Sequence, residues 1–480
     1  MLSGAIWQSM DRLGLQGFNF ILQIILARLL LPADFGIVVL LDVFIQIAWC
    51  FIDSGLGASM VQCREAEEKD FSGIYWLSQG IAVVCYMLLF FAAPWIAEFY
   101  RRPPLSTMLR VTALSLFFVA HTSICSAIIQ RKLQFKKLFF IGFPATVAGG
   151  VLGGTLAWLG LGAWSLVWMQ LSTSFFRLLF SVFQTRWLPR FSFNWELTFK
   201  MFHFGYIILI FNVISALLER LPEFVIGRLF PVAQLGYYSK AYKIPFFIVN
   251  GVNQGLGGTI FPALTANQQD LVLQKKILSR GLEVIYFILL PLLAFLAGAG
   301  HNIVYILLGE KWLPCVPYMQ ILIFTLVFLP SNRLNEGVII ANGRKGTLLR
   351  IGVISRCISA GCFLIGIPGG IKGMMWGLAA GAFLTFILFS NESRKIINIG
   401  VMEQWCIILR CAICAGVAGL FCWLSLRFVS LTNSVLLLMF QSSIFFIVYI
   451  AANLLFNRVQ LFYSFNIMKS LFYRIIFIKQ

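Results

Sequence analysis

Arg12, Arg220, Lys240, Lys243 and Arg333 are basic residues embedded in apolar stretches, and they outnumber the embedded acids that lack a nearby base. A charge at the bilayer centre costs about 2.5–3.5 kcal/mol on insertion scales, so it must face a polar cavity or a partner. A cavity with surplus positive charge suits an anion, and the planar donor fork of Arg suits phosphate. These five are therefore the candidate substrate-binding residues. Asp53, Glu336 and Asp42 are the candidates for coupling to a proton or sodium gradient. Each residue also has a plainer reading. Arg12 lies near a helix end and can snorkel. Glu219, Arg220 and Glu223 can neutralise one another. Lys240 and Lys243 can reach the interface. Arg333 and Glu336, at i and i+3, can pair on one helix face. Asp53 precedes Ser54-Gly55-Leu56-Gly57 and can brace a bend there. His121 reads as a satisfied buried histidine rather than a proton relay.

The motifs that would mark an enzyme are missing from the sequence: no HExxH, no GxSxG and no phosphate loop of the GxxxxGK type. No catalytic residue, metal site or cofactor is expected. Energy must then come from an ion gradient or from the substrate's own gradient. Cys411 and Cys414 form a CxxC inside an apolar run without a partner pair, which reads as packing.

The elements that carry these residues are membrane helices. Hydrophobic residues make up 60% of the 480, charged residues only 11%, and mean hydropathy is +0.88. Too few polar side chains remain to cover a soluble surface, which excludes a soluble enzyme, a disordered chain and a secreted disulfide scaffold. At about 20 residues per crossing, the pattern predicts an all-α polytopic membrane protein of about 14 transmembrane helices. They cover 5–30, 35–62, 73–99, 105–128, 139–160, 162–184, 200–227, 233–262, 280–300, 314–341, 347–367, 371–390, 405–427 and 433–455. The first, second, seventh, eighth and tenth are the least uniformly apolar. The net charge of +19 follows topology rather than nucleic acid. With the N-terminus inside, 21 Lys and Arg fall on the cytoplasmic side against 7 outside, as the positive-inside rule requires. Both termini are therefore expected in the cytoplasm. No cleavable signal peptide is expected, because Met1–Gln16 lacks a basic leading region.

An internal repeat organises the spans. At an offset of 200, Arg28-Leu29, Ala33, Gly36 and Gly55-Leu56-Gly57 meet Arg228-Leu229, Ala233, Gly236 and Gly255-Leu256-Gly257. Both stretches read as a helix end, a short turn and the next helix, six spans apart. That predicts two six-helix bundles related by a pseudo-two-fold along the membrane normal, plus two extra C-terminal helices. The expected parts are 1–190 (first half), 191–400 (second half), 401–456 (two added helices) and 457–480 (a basic amphipathic cytoplasmic tail).

The strings IWQSMDRLG (6–14), LARLLLPADFG (26–36), IDSGLGASMVQ (52–62), IAEFYRRP (96–103), IIQRKLQFKKL (128–138), IGRLFPVAQLGYYSKAYKIP (226–245), FPALTANQQD (261–270) and NEGVIIANGR (335–344) carry a resemblance. Over about residues 1–400 the chain resembles bacterial polysaccharide and O-antigen flippases, including lipopolysaccharide and capsule exporters. These belong to the multidrug/oligosaccharidyl-lipid/polysaccharide (MOP) exporter superfamily. The resemblance implies a transporter in the bacterial inner membrane that moves a polyprenyl-diphosphate-linked oligosaccharide by alternating access through a cationic central cavity. It implies membrane lipids and the polysaccharide polymerase machinery as partners, and Arg12 and Arg220 as the first positions to carry over. A drug/cation antiporter and a peptidoglycan-precursor flippase are neighbours on the same fold. The basic surplus argues against the antiporter. A membrane polymerase or ligase would be expected to carry a large outer loop, and the outer loops here are short.

Overall fold

The computed structural model describes residues 2–53, 70–190, 209–428 and 433–457, with side chains from Gly14 onward. Among them every regular element is a helix. The first part runs α1 (Leu2–Leu29), α2 (Pro32–Asp53), α3 (Asp70–Phe99), α4 (Pro104–Ala113), α5 (Ser115–Arg131), α6 (Phe135–Trp158) and α7 (Ala163–Thr185). Residues 209–219 are helical and lead to α8 (Leu221–Leu229) and α9 (Val232–Ala266). Then come α10 (Leu271–Gly298), α11 (Gly300–Leu308), a 3-10 turn Glu310–Cys315, α12 (Val316–Val327) and α13 (Leu329–Ala341). The chain continues with α14 (Lys345–Ile365), α15 (Gly370–Ile397), α16 (Val401–Phe428) and α17 (Ser434–Phe456).

Eleven stretches among the described residues are long and apolar enough to cross a membrane, so the chain is a multi-pass membrane protein. The expected spans outside this set are 5–30, 200–227 and 233–262. α9 is long enough, at 35 residues, but its polar side chains lower the mean hydropathy. α1 has 28 residues, of which the side chains are described from Gly14, and Gly14–Leu29 is apolar but short of a full crossing. Part of 200–227 lies outside the described residues. Fourteen therefore remains an expectation. The amphipathic tail, 458–480, also lies outside the described residues.

The repeat is written in the backbone. α1 ends at Leu29 and α2 starts at Pro32, while α8 ends at Leu229 and α9 starts at Val232. The turn bonds match at the same offset: Leu30 N–H donates to Leu26 and Phe230 to Ile226, Asp34 to Leu31 and Gln234 to Pro231. The two glycines of the motif meet reciprocally. A Cβ on Gly36 would strike the Val232 carbonyl, and one on Gly236 would strike the Pro32 carbonyl. Such a contact, in which each copy offers the other the same atoms, has local two-fold character.

Further turns match that the sequence alone did not align. Residues 132–134 and 342–344 make the same three backbone bonds, to 128–130 and 338–340. Their middle residues, Leu133 and Gly343, both have positive φ, 54° and 70°. The fourth and tenth expected spans are both broken midway, at Leu114 and at Phe328. α7 and α15 both end on a left-handed residue, Arg186 and Asn398.

The chain divides into two compact units, Met1–Ser239 and Lys240–Gln480. In the first, α6 packs on α7 through glycines: a Cβ on Gly149 would strike the Thr173 hydroxyl. Small residues let helices approach where lipid supplies no hydrophobic drive. In the second, α16 seats on α10 in the same way, with a Cβ on Gly298 falling 2.6 Å from the Gly419 carbonyl oxygen. Cys411 and Cys414 are buried in this core, in the packing role expected of them. Tyr449 of α17 donates to the Phe287 carbonyl at 3.1 Å. Asn302 donates to Gln441 at 2.9 Å, buried. The two C-terminal helices are thus part of the second unit's core.

Candidate functional site

A cavity of about 900 Å³ opens within the first unit, walled by α1, α2, α5, α6 and α7. α2 supplies a stripe to it: Asp42, Gln46, Trp49 and Asp53. These fall at i, i+4, i+7 and i+11, which is one face of an α-helix. The stripe runs about 16 Å along the axis at 1.5 Å per residue. α5 adds Ser115, Thr122, Ser123, Ser126 and Gln130, and α7 adds Gln170, Thr173, Ser174 and Arg177. Asn19 of α1 and Thr146 of α6 complete the polar wall. Gln170 donates to the Asp42 carboxylate at 3.0 Å, and Ser123 faces Asp53 at 3.5 Å. Thr122, Thr146 and Thr173 give their protons to carbonyls of their own helices. Their oxygens remain as acceptors.

Of the residues proposed from sequence, Asp42 and Asp53 line this cavity. Of the five basic residues, the four whose side chains are described, Arg220, Lys240, Lys243 and Arg333, do not appear in its wall. Arg220 stands at the N-terminus of α8 and pairs with Glu223 at 3.3 Å, a third of its side chain exposed. Arg333 pairs with Glu336 at 3.2 Å, with 66% of the arginine side chain exposed. Both pairings were legible as neutralising partners. Lys240 is buried, with its ammonium 5.8 Å from the Trp312 ring centroid. Its neighbour Lys243 is exposed. Arg12 lies in α1, and its side chain is outside the described residues. His121 is buried edge-on to Tyr75 at 5.5 Å and beside Trp187.

The second unit treats its polar residues differently. Asn335 and Gln404 exchange bonds at 2.9 and 3.1 Å, and Ser390 donates to Gln404 at 3.1 Å, all buried. Tyr286 and Ser331 share a bond of 2.7 Å, and Asn342 donates to Gln274 at 3.0 Å. These groups satisfy one another, as buried polar groups must.

Charge alone did not find Trp49, Gln170 or the hydroxyl wall. The signal was present: Ser115, Thr122, Ser123, Ser126 and Gln130 recur on one face of α5, as do Gln170, Thr173, Ser174 and Arg177 on α7. Uncharged polar residues at helical spacing in an apolar span mark a wet face as surely as charges do.

Comparison with known proteins adds the following. Residues 25–317 match the family described as polysaccharide biosynthesis protein. The chain is 24% identical over 389 residues to the lipopolysaccharide biosynthesis protein WzxC of Escherichia coli (strain K12), covering 81% of this chain and 78% of that one. Its structure is similar to the lipid II flippase MurJ in an inward closed conformation. The TM-score is 0.76 at 12% identity, over 96% of this chain and 100% of that one. It is also similar to an inward-facing multidrug resistance MATE family transporter of the MOP superfamily, with TM-score 0.64 at 14% identity, over 82% and 98%. At such identities the structural likenesses establish the fold.

Proposed function

This chain belongs to the family of polysaccharide biosynthesis proteins, and on that premise we propose that it is a flippase. It carries a polyprenyl-diphosphate-linked oligosaccharide across the bacterial inner membrane, by alternating access, for assembly of a surface polysaccharide. The family match over residues 25–317 is the observation that carries this reading. The chain acts as a transporter and not a catalyst, without a cofactor, with both termini cytoplasmic. Its product passes to the polymerase machinery on the far side.

The cations fit the diphosphate. Arg220 and Arg333 each sit on an i,i+3 pair with a glutamate and keep the guanidinium partly exposed. The Arg333 pair is the exposed one and contributes about 1 kcal/mol or less, so a diphosphate oxygen can displace Glu336 there at little cost, with the bidentate geometry that Arg favours. Glu223 is largely buried and stays with Arg220, whose exposed edge meets the diphosphate. Arg12 is assigned the same task from its position in sequence. Lys243 is free to attract the headgroup from the surface, whereas Lys240, beneath Trp312, serves the packing of its unit. Glu336, freed when Arg333 takes the diphosphate, is the group proposed to accept a proton or sodium ion.

The test is genetic. The gene is deleted in its host, and surface polysaccharide is assayed together with the leaflet position of the lipid-linked oligosaccharide. The reading predicts loss of polymer with precursor trapped on the cytoplasmic leaflet, restored by the wild-type gene and not by Arg220→Ala. Normal polymer with altered sensitivity to cationic drugs would overturn it in favour of an antiporter.

A further inference from the structure

We propose that the cavity of the first unit is a saccharide subsite, which takes sugar rings of the transported headgroup and leaves the diphosphate outside. The inference rests on the flippase reading and names the part of the substrate that this cavity reads.

Volume comes first. At about 900 Å³ the cavity has room for some thirty waters at ~30 Å³ each. It lies near the top of the roughly 300–1,000 Å³ range of small-molecule sites. An ion site is far smaller: a hard cation gathers its oxygens within about 2.6 Å. Asp42 and Asp53 stand three helical turns apart, about 16 Å along α2, so one ion cannot bridge them. Among the described residues no three His, Cys, Asp or Glu side chains gather anywhere in the molecule. The separation lets the two carboxylates meet different parts of an extended ligand.

Polarity comes second. Fourteen of the twenty lining residues are polar or charged, so hydrogen-bonding groups are spread along a wall that also carries apolar surface, as a sugar ring with its hydroxyls and C–H faces requires. The wall carries both kinds of group: carboxylates and threonine oxygens that accept, and the amides of Asn19, Gln46 and Gln130 that donate and accept. Sugar hydroxyls likewise donate and accept, whereas a diphosphate only accepts and would meet two carboxylates against the single Arg177. Trp49 supplies the remaining element. The residue is 43% exposed, between Gln46 and Asp53 on the stripe. The negative face of an indole suits the C–H face of a sugar ring, while the flanking amide and carboxylate hold its hydroxyls.

The test is equilibrium binding to the full-length protein in lipid nanodiscs, with two probes. One is lipid-linked oligosaccharide extracted from host cells lacking this gene. The other is bare polyprenyl diphosphate. Trp49→Ala, Asp42→Asn and Gln46→Ala should each weaken the oligosaccharide probe about tenfold. They should leave the bare probe within twofold of wild type, and Trp49→Phe should recover most of the loss. Arg220→Gln should weaken both probes alike. Equal effects of the cavity variants on the two probes, or no effect on either, would overturn the subsite while leaving the flippase reading standing. Failure of the wild-type protein to bind either probe would overturn the flippase reading, and the subsite with it.

Discussion

Residues 42, 46, 49 and 53 of α2 and residues 242, 246, 249 and 253 of α9 occupy equivalent turns of a repeated helix, and they have opposite characters. The first set, Asp, Gln, Trp and Asp, lines a cavity. In the second, Tyr242 and Phe246 stack at 5.4 Å, Val249 is wholly buried, and only Asn253 is polar. The backbones leading into both helices share their turn bonds and their glycine contact. The repeat therefore fixes the scaffold without fixing the use made of it. In the first unit, Asp42, Gln46 and Asp53 face open space, whereas in the second Asn335, Gln404 and Ser390 bond one another.

The shared backbone is the part most sensitive to change. Gly36→Val and Gly236→Val should each destabilise by about 3 kcal/mol or more, because the new side chain meets a carbonyl that cannot move away. Both should abolish monodisperse protein in size-exclusion chromatography. A strong effect at one glycine only would show that the two copies do not rely on the same contact.

Function should separate where structure does not. Asp42→Ala should cut transport at least tenfold, the loss expected when a charge-assisted bond of about 1.5–3 kcal/mol disappears. Its thermal midpoint should fall only slightly, through loss of the single bond from Gln170. Tyr242→Ala should do the reverse, costing about 2 kcal/mol of stability through lost ring stacking. Transport per folded molecule should stay within twofold. If Tyr242→Ala were the transport-dead variant, the division of labour would be wrong.

Asn335→Leu sharpens the comparison from the other side. It strands Gln404 in the interior and should cost about 1–3 kcal/mol, with transport by the surviving protein unchanged. The smallest effect concerns the turn that both halves share. Gly343→Leu should cost about 1 kcal/mol by forcing a branched residue to positive φ. Leu133→Gly, at the matching turn, should stabilise by less than about 1 kcal/mol, since relief of strain is offset by a more flexible unfolded chain. Thermal midpoints of the two variants and the wild type, measured together, would show whether the turns are equivalent.

Much of the scaffold was legible in the sequence. Hydrophobicity set the class, and the Arg-Leu, Ala and Gly matches located a turn that the backbone repeats bond for bond. The repeat at 132–134 and 342–344 was hidden because a backbone conformation can be kept while its residues change: Leu133 and Gly343 hold the same left-handed position. The pairings Arg220–Glu223 and Arg333–Glu336 followed from helical spacing. The cavity did not, because its walls come mostly from hydroxyls and amides on helices far apart in the chain. Lys240 illustrates the converse. Its place in an apolar helix is read from the sequence, whereas its position beside Trp312 is set by tertiary packing.

Reconstitution tests the central claim most directly. Lipid-linked oligosaccharide is placed in one leaflet of proteoliposomes, and its arrival in the other is followed by exposure of the sugar to membrane-impermeant periodate. The account predicts movement at least tenfold faster than in empty liposomes, slowed by Arg220→Gln and by Trp49→Ala. Movement at the same rate with and without the protein, in vesicles where insertion and folding are verified, would contradict it.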